Sequence, residues 1–245
     1  MSLKHVRETY EGLGAEDPFY AVLSLEGKGG GKWDRDELFE TGKREIADAL
    51  AHVEGQGLSP ARHAALDFGC GVGRLTQALG EHFERVVGVD ISSSMVACAE
   101  ENNQLGDRCE YVLNQTDHLK VFPDESFDFV YSNIALQHSP PQASAAYIAE
   151  FVRLLRPNGV ALFHIPSGPL IRPGSLREVA YNIKSGVLRR AWKRVRGKAT
   201  VEMHYLHHSQ VEGVIHRSGA RLVHAERFGS QHRKRYGMRY CVAKS

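Results

Sequence analysis

Residues Ala64 to Arg74 read Ala-Ala-Leu-Asp-Phe-Gly-Cys-Gly-Val-Gly-Arg, a short apolar run that breaks into the alternating glycines Gly69, Gly71 and Gly73. The run has the composition of a buried strand. The glycines free the following turn to take conformations closed to other residues and let a ligand approach its amides. A second apolar run, Val86 to Asp90, also ends in a carboxylate. In an open parallel sheet, adjacent strands ending this way present Asp67 and Asp90 at the carboxyl edge, where ligands of such folds bind. A dinucleotide fingerprint places its third glycine at the sixth position, beneath a pyrophosphate. Here the sixth position from Gly69 is Arg74 and the third glycine comes early, at Gly73. The turn therefore favours a nucleoside cofactor without phosphates.

Around this turn, strand and helix patterns alternate. Strands are expected at 64–68, 85–90, 109–113, 127–132 and 159–165, and helices at 34–53, 73–83, 93–104 and 142–156. Such alternation means crossover connections and a parallel sheet. Leu38, Phe39, Ile46, Leu50 and Val53 share one helical face, with Thr41-Gly42 expected to break or soften that helix. A helix at 209–218 and apolar runs at Leu222-Val223 and Tyr240-Val242 suggest a final antiparallel strand pair. The polar start of the chain, ending in Gly27-Lys28-Gly29-Gly30-Gly31-Lys32, reads as loop, with order beginning near Trp33.

Bulk properties exclude some classes. At 245 residues with 42% hydrophobic and 24% charged residues, the chain suits one globular α/β domain, and no apolar run approaches the roughly 20 residues of a membrane span. The first residues lack the apolar core of a secretory signal, so the cytoplasm is the expected compartment. Cys70, Cys98, Cys109 and Cys241 are scattered, without the spacing of a metal site or redox pair. No metal is expected. Between Arg172 and Lys198, nine Lys or Arg stand against the single acid Glu178, a local charge of +8. A basic amphipathic helix there faces water or an anionic partner.

Taken in order, four segments resemble the class I S-adenosylmethionine-dependent methyltransferases, especially the small-molecule group. They are Leu66 to Gly73, Val87 to Ser92 with Met95 following, Ser126 to Ser132, and Arg153 to Gly159. The resemblance spans about Trp33 to Pro166. It implies a Rossmann-like seven-stranded, mostly parallel sheet with helices on both faces, an antiparallel last strand and a small helical lid insert. Within one domain, residues 1–32 would be a flexible segment, 33–166 the cofactor-binding core, 167–208 the basic lid and 209–245 a closing helix and strand pair.

The cofactor implied is S-adenosyl-L-methionine. Asp67 with the turn Gly69, Cys70, Gly71 and Gly73 would receive its methionyl end, matching ammonium to carboxylate and carboxylate to backbone amides near a helix start. Asp90 would take the ribose diol, Ile91 and Met95 would pack on adenine, and Ser132 would complete the site at the fourth strand. Relatives often read the adenine amino group with an acid after the third strand. Here that stretch is Leu113-Asn114-Gln115-Thr116-Asp117, leaving the contact open between Gln115, Thr116 and Asp117. Asp90 can alternatively cap the next helix, and Asp128 can be structural.

Methyl transfer needs alignment of the acceptor, and a general base only if that acceptor must lose a proton. His138 after the fourth strand is the first candidate, followed by His164, His204, His207 and His208. Nucleic-acid amino methyltransferases resemble one another in an Asn or Asp, two prolines and an aromatic directly after the fourth strand. This chain has Ser132-Asn133-Ile134-Ala135 there, and its Pro140-Pro141 comes later. A small-molecule acceptor is favoured over nucleic acid or an anionic membrane, and a non-catalytic cofactor-binding subunit is the remaining alternative.

Overall fold

In the computed structural model, the described residues are 2–169, 203–228 and 235–245. The basic helix expected between Arg172 and Lys198 lies outside them. Seven strands form one sheet: β1 (Ala64–Phe68), β2 (Arg85–Asp90), β3 (Cys109–Leu113), β4 (Phe127–Ser132), β5 (Leu155–Pro169), β6 (Ala220–Phe228) and β7 (Arg235–Lys244). Their spatial order is β3-β2-β1-β4-β5-β7-β6. The first five are mutually parallel, and β7 runs antiparallel to both of its neighbours. Since β1 pairs with β2 on one side and β4 on the other, the strand order reverses at β1. Ligand crevices of open α/β sheets sit at such a point.

Strand alternation sorts the core into two faces. Leu66, Phe68, Val87, Val89 and Val130 pack with α6 (Pro141–Leu154) and α7 (His208–Arg217). Ala65, Val86, Phe129 and Tyr131 pack with α3 (Arg35–Gly55) and α4 (Arg74–Gly80). Asp67 therefore points toward α4, into a layer of apolar side chains. Helix α5 (Ser93–Glu101) follows β2 and is capped by Ser92, whose hydroxyl accepts from the Met95 amide.

Three sequence expectations are corrected. The N-terminal stretch forms helices α1 (Leu3–Glu16) and α2 (Pro18–Val22). Tyr10, Phe19, Tyr20, Ala21, Val22 and Leu23 gather on Trp33, Leu38, Phe39, Val72 and Met95. Pro18 fits the first turn of α2, whose Asp17 cap accepts from the Tyr20 amide. Asp17 also accepts from Gly30 and Gly31, folding the glycine run back onto the helices. Strand β5 begins at Leu155, directly after α6, because Leu155 pairs with Phe127 before a bulge lets Val160 pair with Phe129. Asn158, at φ +64°, turns that bulge.

The third correction concerns α3, which runs unbroken through Thr41-Gly42. Gly42 is there for packing: a Cβ would lie 2.5 Å from the Arg74 carbonyl oxygen and 2.9 Å from Arg74 Cγ. Gly42→Ala should consequently destabilise the protein by about 1–3 kcal/mol through overpacking. An exposed helical glycine would gain about 1 kcal/mol from the same change. Urea unfolding reads the sign, and a stabilised variant would refute the close α3–α4 contact.

Candidate functional site

At the carboxyl edge of β1 and β2, the backbone does what the glycines permit. Gly69, Gly71 and Gly73 have φ of +78°, +53° and +81°. A Cβ on Gly69 would overlap the Ala135 methyl, one on Gly71 would overlap Val22 Cγ1, and one on Gly73 would lie 2.5 Å from the Tyr111 hydroxyl. The Asp90 carboxylate closes this turn: one oxygen accepts from the Gly71 amide at 2.9 Å, the other from the Ser92 amide at 3.0 Å. Burial pushes the Asp90 carboxyl upward, with its backbone hydrogen bonds opposing. Ser92, not Asp90, caps α5; Asp90 accepts from the amide of that capping residue and braces the turn against it.

A cavity opens above this corner. Its floor and walls are Phe68, Gly69, Cys70, Gly71, Arg74 and Leu75 after β1, and Val89, Asp90, Ile91 and Met95 after β2. Asn114, Asn133, Ile134, Ala135, His138, Ser139 and Tyr147 continue it, and Val6, Tyr10, Ala21 and Val22 of α1 and α2 complete it. Of the residues expected from sequence, Gly69, Cys70, Gly71, Asp90, Ile91, Met95 and His138 meet here. Asp67, Gly73, Gln115, Thr116 and Ser132 are not in its lining. Ser132 is buried and donates to the Phe68 carbonyl at 3.0 Å. Gln115 accepts from Arg7 at 3.0 Å, and Thr116 donates to Asn114 and the His118 carbonyl. Asn114, one residue before the three candidates Gln115, Thr116 and Asp117, is the member of that segment that reaches the wall.

Asp67 lies beneath the turn, fully buried, with Oδ2 accepting from Thr76 at 2.7 Å. Its Oδ1 has no hydrogen-bond partner. Burial raises its carboxyl from 3.8 to about 7, against the pull of the Thr76 bond and Arg74. Asn133, at the end of β4, carries a second buried oxygen without a partner. Its amide nitrogen donates to Glu45 at 2.6 Å, and Glu45 also takes Tyr131 at 3.0 Å and Arg74 at 2.8 Å. Arg74 is the only Lys or Arg in the described lining, and Glu45 and Thr41 occupy it. A phosphate would find no free Lys or Arg in the described lining, whereas Asn133 in the wall and Asp67 beneath the turn each keep an acceptor oxygen without a partner.

Other candidate residues fall elsewhere. Asp128 accepts from the His63 and Ala64 amides at 3.0 and 2.8 Å and pairs with Arg156, which is a structural role. His207 caps α7, and His208 meets the Tyr240 hydroxyl at 3.1 Å. His164 and His204 are not in the cavity lining. His138 is: it sits on a short 3₁₀ turn, Leu136–His138, with its ring edge-on to Tyr10 at 5.4 Å. Cys70 is in the wall, but burial, then Asp90 and Asp67, push its thiol well up, leaving it protonated.

Comparison with known proteins fits this geometry. Residues 66–163 match the methyltransferase domain family. Those residues have the sequence of a methyltransferase domain. That match runs from β1 to β5 and includes the glycine turn, Asp90 and His138. Malonyl-[acyl-carrier protein] O-methyltransferase of Yersinia pestis is 32% identical over 136 residues, 56% of this chain and 43% of the relative. Phosphoethanolamine N-methyltransferase of Triticum aestivum is 34% identical over 121 residues, 49% of this chain and 22% of the relative. The chain thus spans less than half the length of these two relatives. Magnesium protoporphyrin IX methyltransferase of Synechocystis, crystallised with bound SAH, superposes with a TM-score of 0.65 at 18% identity over 99% of both chains. The fold around the methyltransferase domain is that of the class I S-adenosylmethionine-dependent methyltransferases. No helix among the described residues is long and apolar enough to cross a membrane.

Proposed function

We propose that the chain binds S-adenosyl-L-methionine at the β1–β2 edge and transfers its methyl group to an O, N or C nucleophile of a small molecule. The observation that carries this reading is the pairing of a glycine cradle, braced by Asp90, with the orphaned oxygens of Asp67 and Asn133. A cation-bearing, phosphate-free nucleoside fits that donor and acceptor set, and the tied-up Arg74 disfavours a pyrophosphate. The relatives given above are named for malonyl-[acyl-carrier protein], phosphoethanolamine and magnesium protoporphyrin IX, so what they share supports the cofactor rather than an acceptor. Burial or half-burial of all four free cysteines suits a reducing compartment such as the cytoplasm.

When bound, the cofactor supplies a sulfonium-activated methyl group. This chain's residues do the rest. The amides of Gly69, Cys70, Gly71 and Gly73 are taken by Val89, Asp90 and Cys70, so the methionyl carboxylate meets the amides that open α4, while Asp67 and Asn133 accept from its ammonium and Asp90 accepts from the ribose hydroxyls. Ile91 and Met95 pack against the base. Val6, Val22 and Phe68 exclude water, which would otherwise screen these interactions. His138, at the cavity wall, takes the acceptor's proton where there is one to take.

Incubation with methyl-labelled S-adenosyl-L-methionine and a metabolite extract, read by mass spectrometry, is expected to give one labelled product class. With that acceptor, His138→Ala should lower kcat about a hundredfold and change cofactor affinity less than about threefold. If no label transfers, the catalytic reading fails. If the variant loses cofactor affinity and keeps kcat, His138 is a wall residue and not a base.

A further inference from the structure

Helix α1 is fastened to the same corner that holds Asp90. Glu11, on α1, accepts from the Ser92 hydroxyl at 2.9 Å, the Ser93 amide at 2.9 Å, the Ser93 hydroxyl at 2.6 Å and the Ser94 amide at 3.1 Å. The Ser94 hydroxyl in turn donates to the Glu11 carbonyl at 3.2 Å. A carboxylate is favoured at this point, since the first amides of α5 have no partners within the helix and carry the positive end of its dipole. Gly14 allows the approach, because a Cβ there would overlap the Ser94 hydroxyl.

This fastening has a consequence for the cavity. Tyr10, adjacent to Glu11, and Val6, one turn before it, are wall residues, and Tyr10 meets His138 across the cavity. Val22 of α2 lies directly on Gly71. One side of the cofactor cavity is therefore built from α1 and α2, which lie outside the sheet and its covering helices.

We propose that Glu11 is a positioning residue, a clasp that holds α1 and α2 closed over the cofactor and sets how long it stays bound. The proposal rests on the cofactor reading above. Loading and release pass through an opened state in which the Glu11 carboxylate has left the start of α5. Glu11 acts through Tyr10, Val6 and Val22 and touches no reacting atom.

Trp33 reports the closed state, because its ring lies in the cluster joining α2 to α3 and α5 and its Nε1 donates to the Leu23 carbonyl at 2.9 Å. In a Trp192→Phe background, stopped-flow fluorescence can follow release of S-adenosylhomocysteine. Glu11→Ala should speed release about tenfold and raise KM for the cofactor more than it changes kcat. Glu11→Asp should recover part of the loss. Glu8→Gln, which breaks only the exposed Lys4–Glu8 pair at 3.9 Å, should leave release at the native rate.

Hydrogen exchange of the ligand-free protein gives a reading independent of the cofactor. Amides of residues 3–22 should exchange about tenfold faster in Glu11→Ala, with β1 to β5 unchanged. Native release kinetics and native exchange in Glu11→Ala would overturn the clasp, as would uniformly faster exchange across the sheet, which would mean a general loss of stability. Failure of the native chain itself to bind S-adenosylhomocysteine would instead sink the cofactor reading, and the clasp with it.

Discussion

Gly69→Ala is expected to lower folding stability by about 2–5 kcal/mol and to abolish cofactor binding in the micromolar range. Two costs add. At φ +78° an L-residue bears the left-handed penalty of roughly 1–2 kcal/mol, and overlap with the Ala135 methyl adds overpacking of about 1–3 kcal/mol. Relief requires moving Ala135, and with it the segment from Asn133 to His138. The same change at Gly71 should be milder, because φ +53° is accessible to other residues and the obstructing atom is a side-chain methyl of Val22 on the detachable wall. Chemical denaturation and calorimetric titration of both variants test the order. A milder Gly69→Ala would mean that the turn and the loop after β4 are not packed as described.

Asp67→Asn is expected to act in opposite directions on stability and on binding. With its carboxyl raised from 3.8 to about 7 by burial, the folded state holds a proton that the unfolded chain has released between those values. Native stability therefore falls as pH rises across that window and levels off above it. The full difference is about 4 kcal/mol at 1.36 kcal/mol per pH unit. Asparagine keeps the acceptor for Thr76 and carries no proton, so the variant should lack this slope. It should match the native chain within about 1 kcal/mol near pH 4 and exceed it by about 2–4 kcal/mol at pH 8.

Binding should show the complement. An ammonium meeting Asp67 Oδ1 favours the ionised carboxyl, so the native chain should release a proton on binding. Affinity should tighten about twenty- to thirtyfold from pH 5.5 to 7.5. Calorimetry in two buffers of different ionisation enthalpy measures the proton, and Asp67→Asn should lose both effects along with affinity. Equal pH profiles for the two proteins would place the ammonium elsewhere.

The sheet was legible in the sequence because its strands are short apolar runs bounded by charged or glycine residues, and the strand pair 222–223 and 240–242 proved to be the cores of β6 and β7. The candidate corner was legible for the same reason: glycines at alternate positions and a carboxylate at a strand end have few other uses. The N-terminal wall was hidden by its polar average. Leu3, Val6, Tyr10 and Leu13 recur at helical spacing, a signal that the neighbouring glycine run obscured. Gly42 misled because glycine reads as a break in a lone helix, whereas its cause is a carbonyl on another element. Asn114 and Tyr147 could not be read at all. Their place in the wall depends on how far β3 extends and how α6 sits on Phe68, which are properties of packing and not of local pattern.

The central claim is that the turn after β1 and the carboxylate ending β2 form one cofactor site. Titration of the native chain and of Asp90→Ala with S-adenosyl-L-methionine at pH 7.5 tests it most directly. The native chain should bind with a Kd of roughly 1 μM to 1 mM. Loss of a carboxylate that braces the Gly71 amide and meets the ribose should weaken binding by about 2–3 kcal/mol, roughly thirty- to a hundred-and-fiftyfold. Absence of native binding at millimolar cofactor, or equal affinity in a folded Asp90→Ala, would contradict the account.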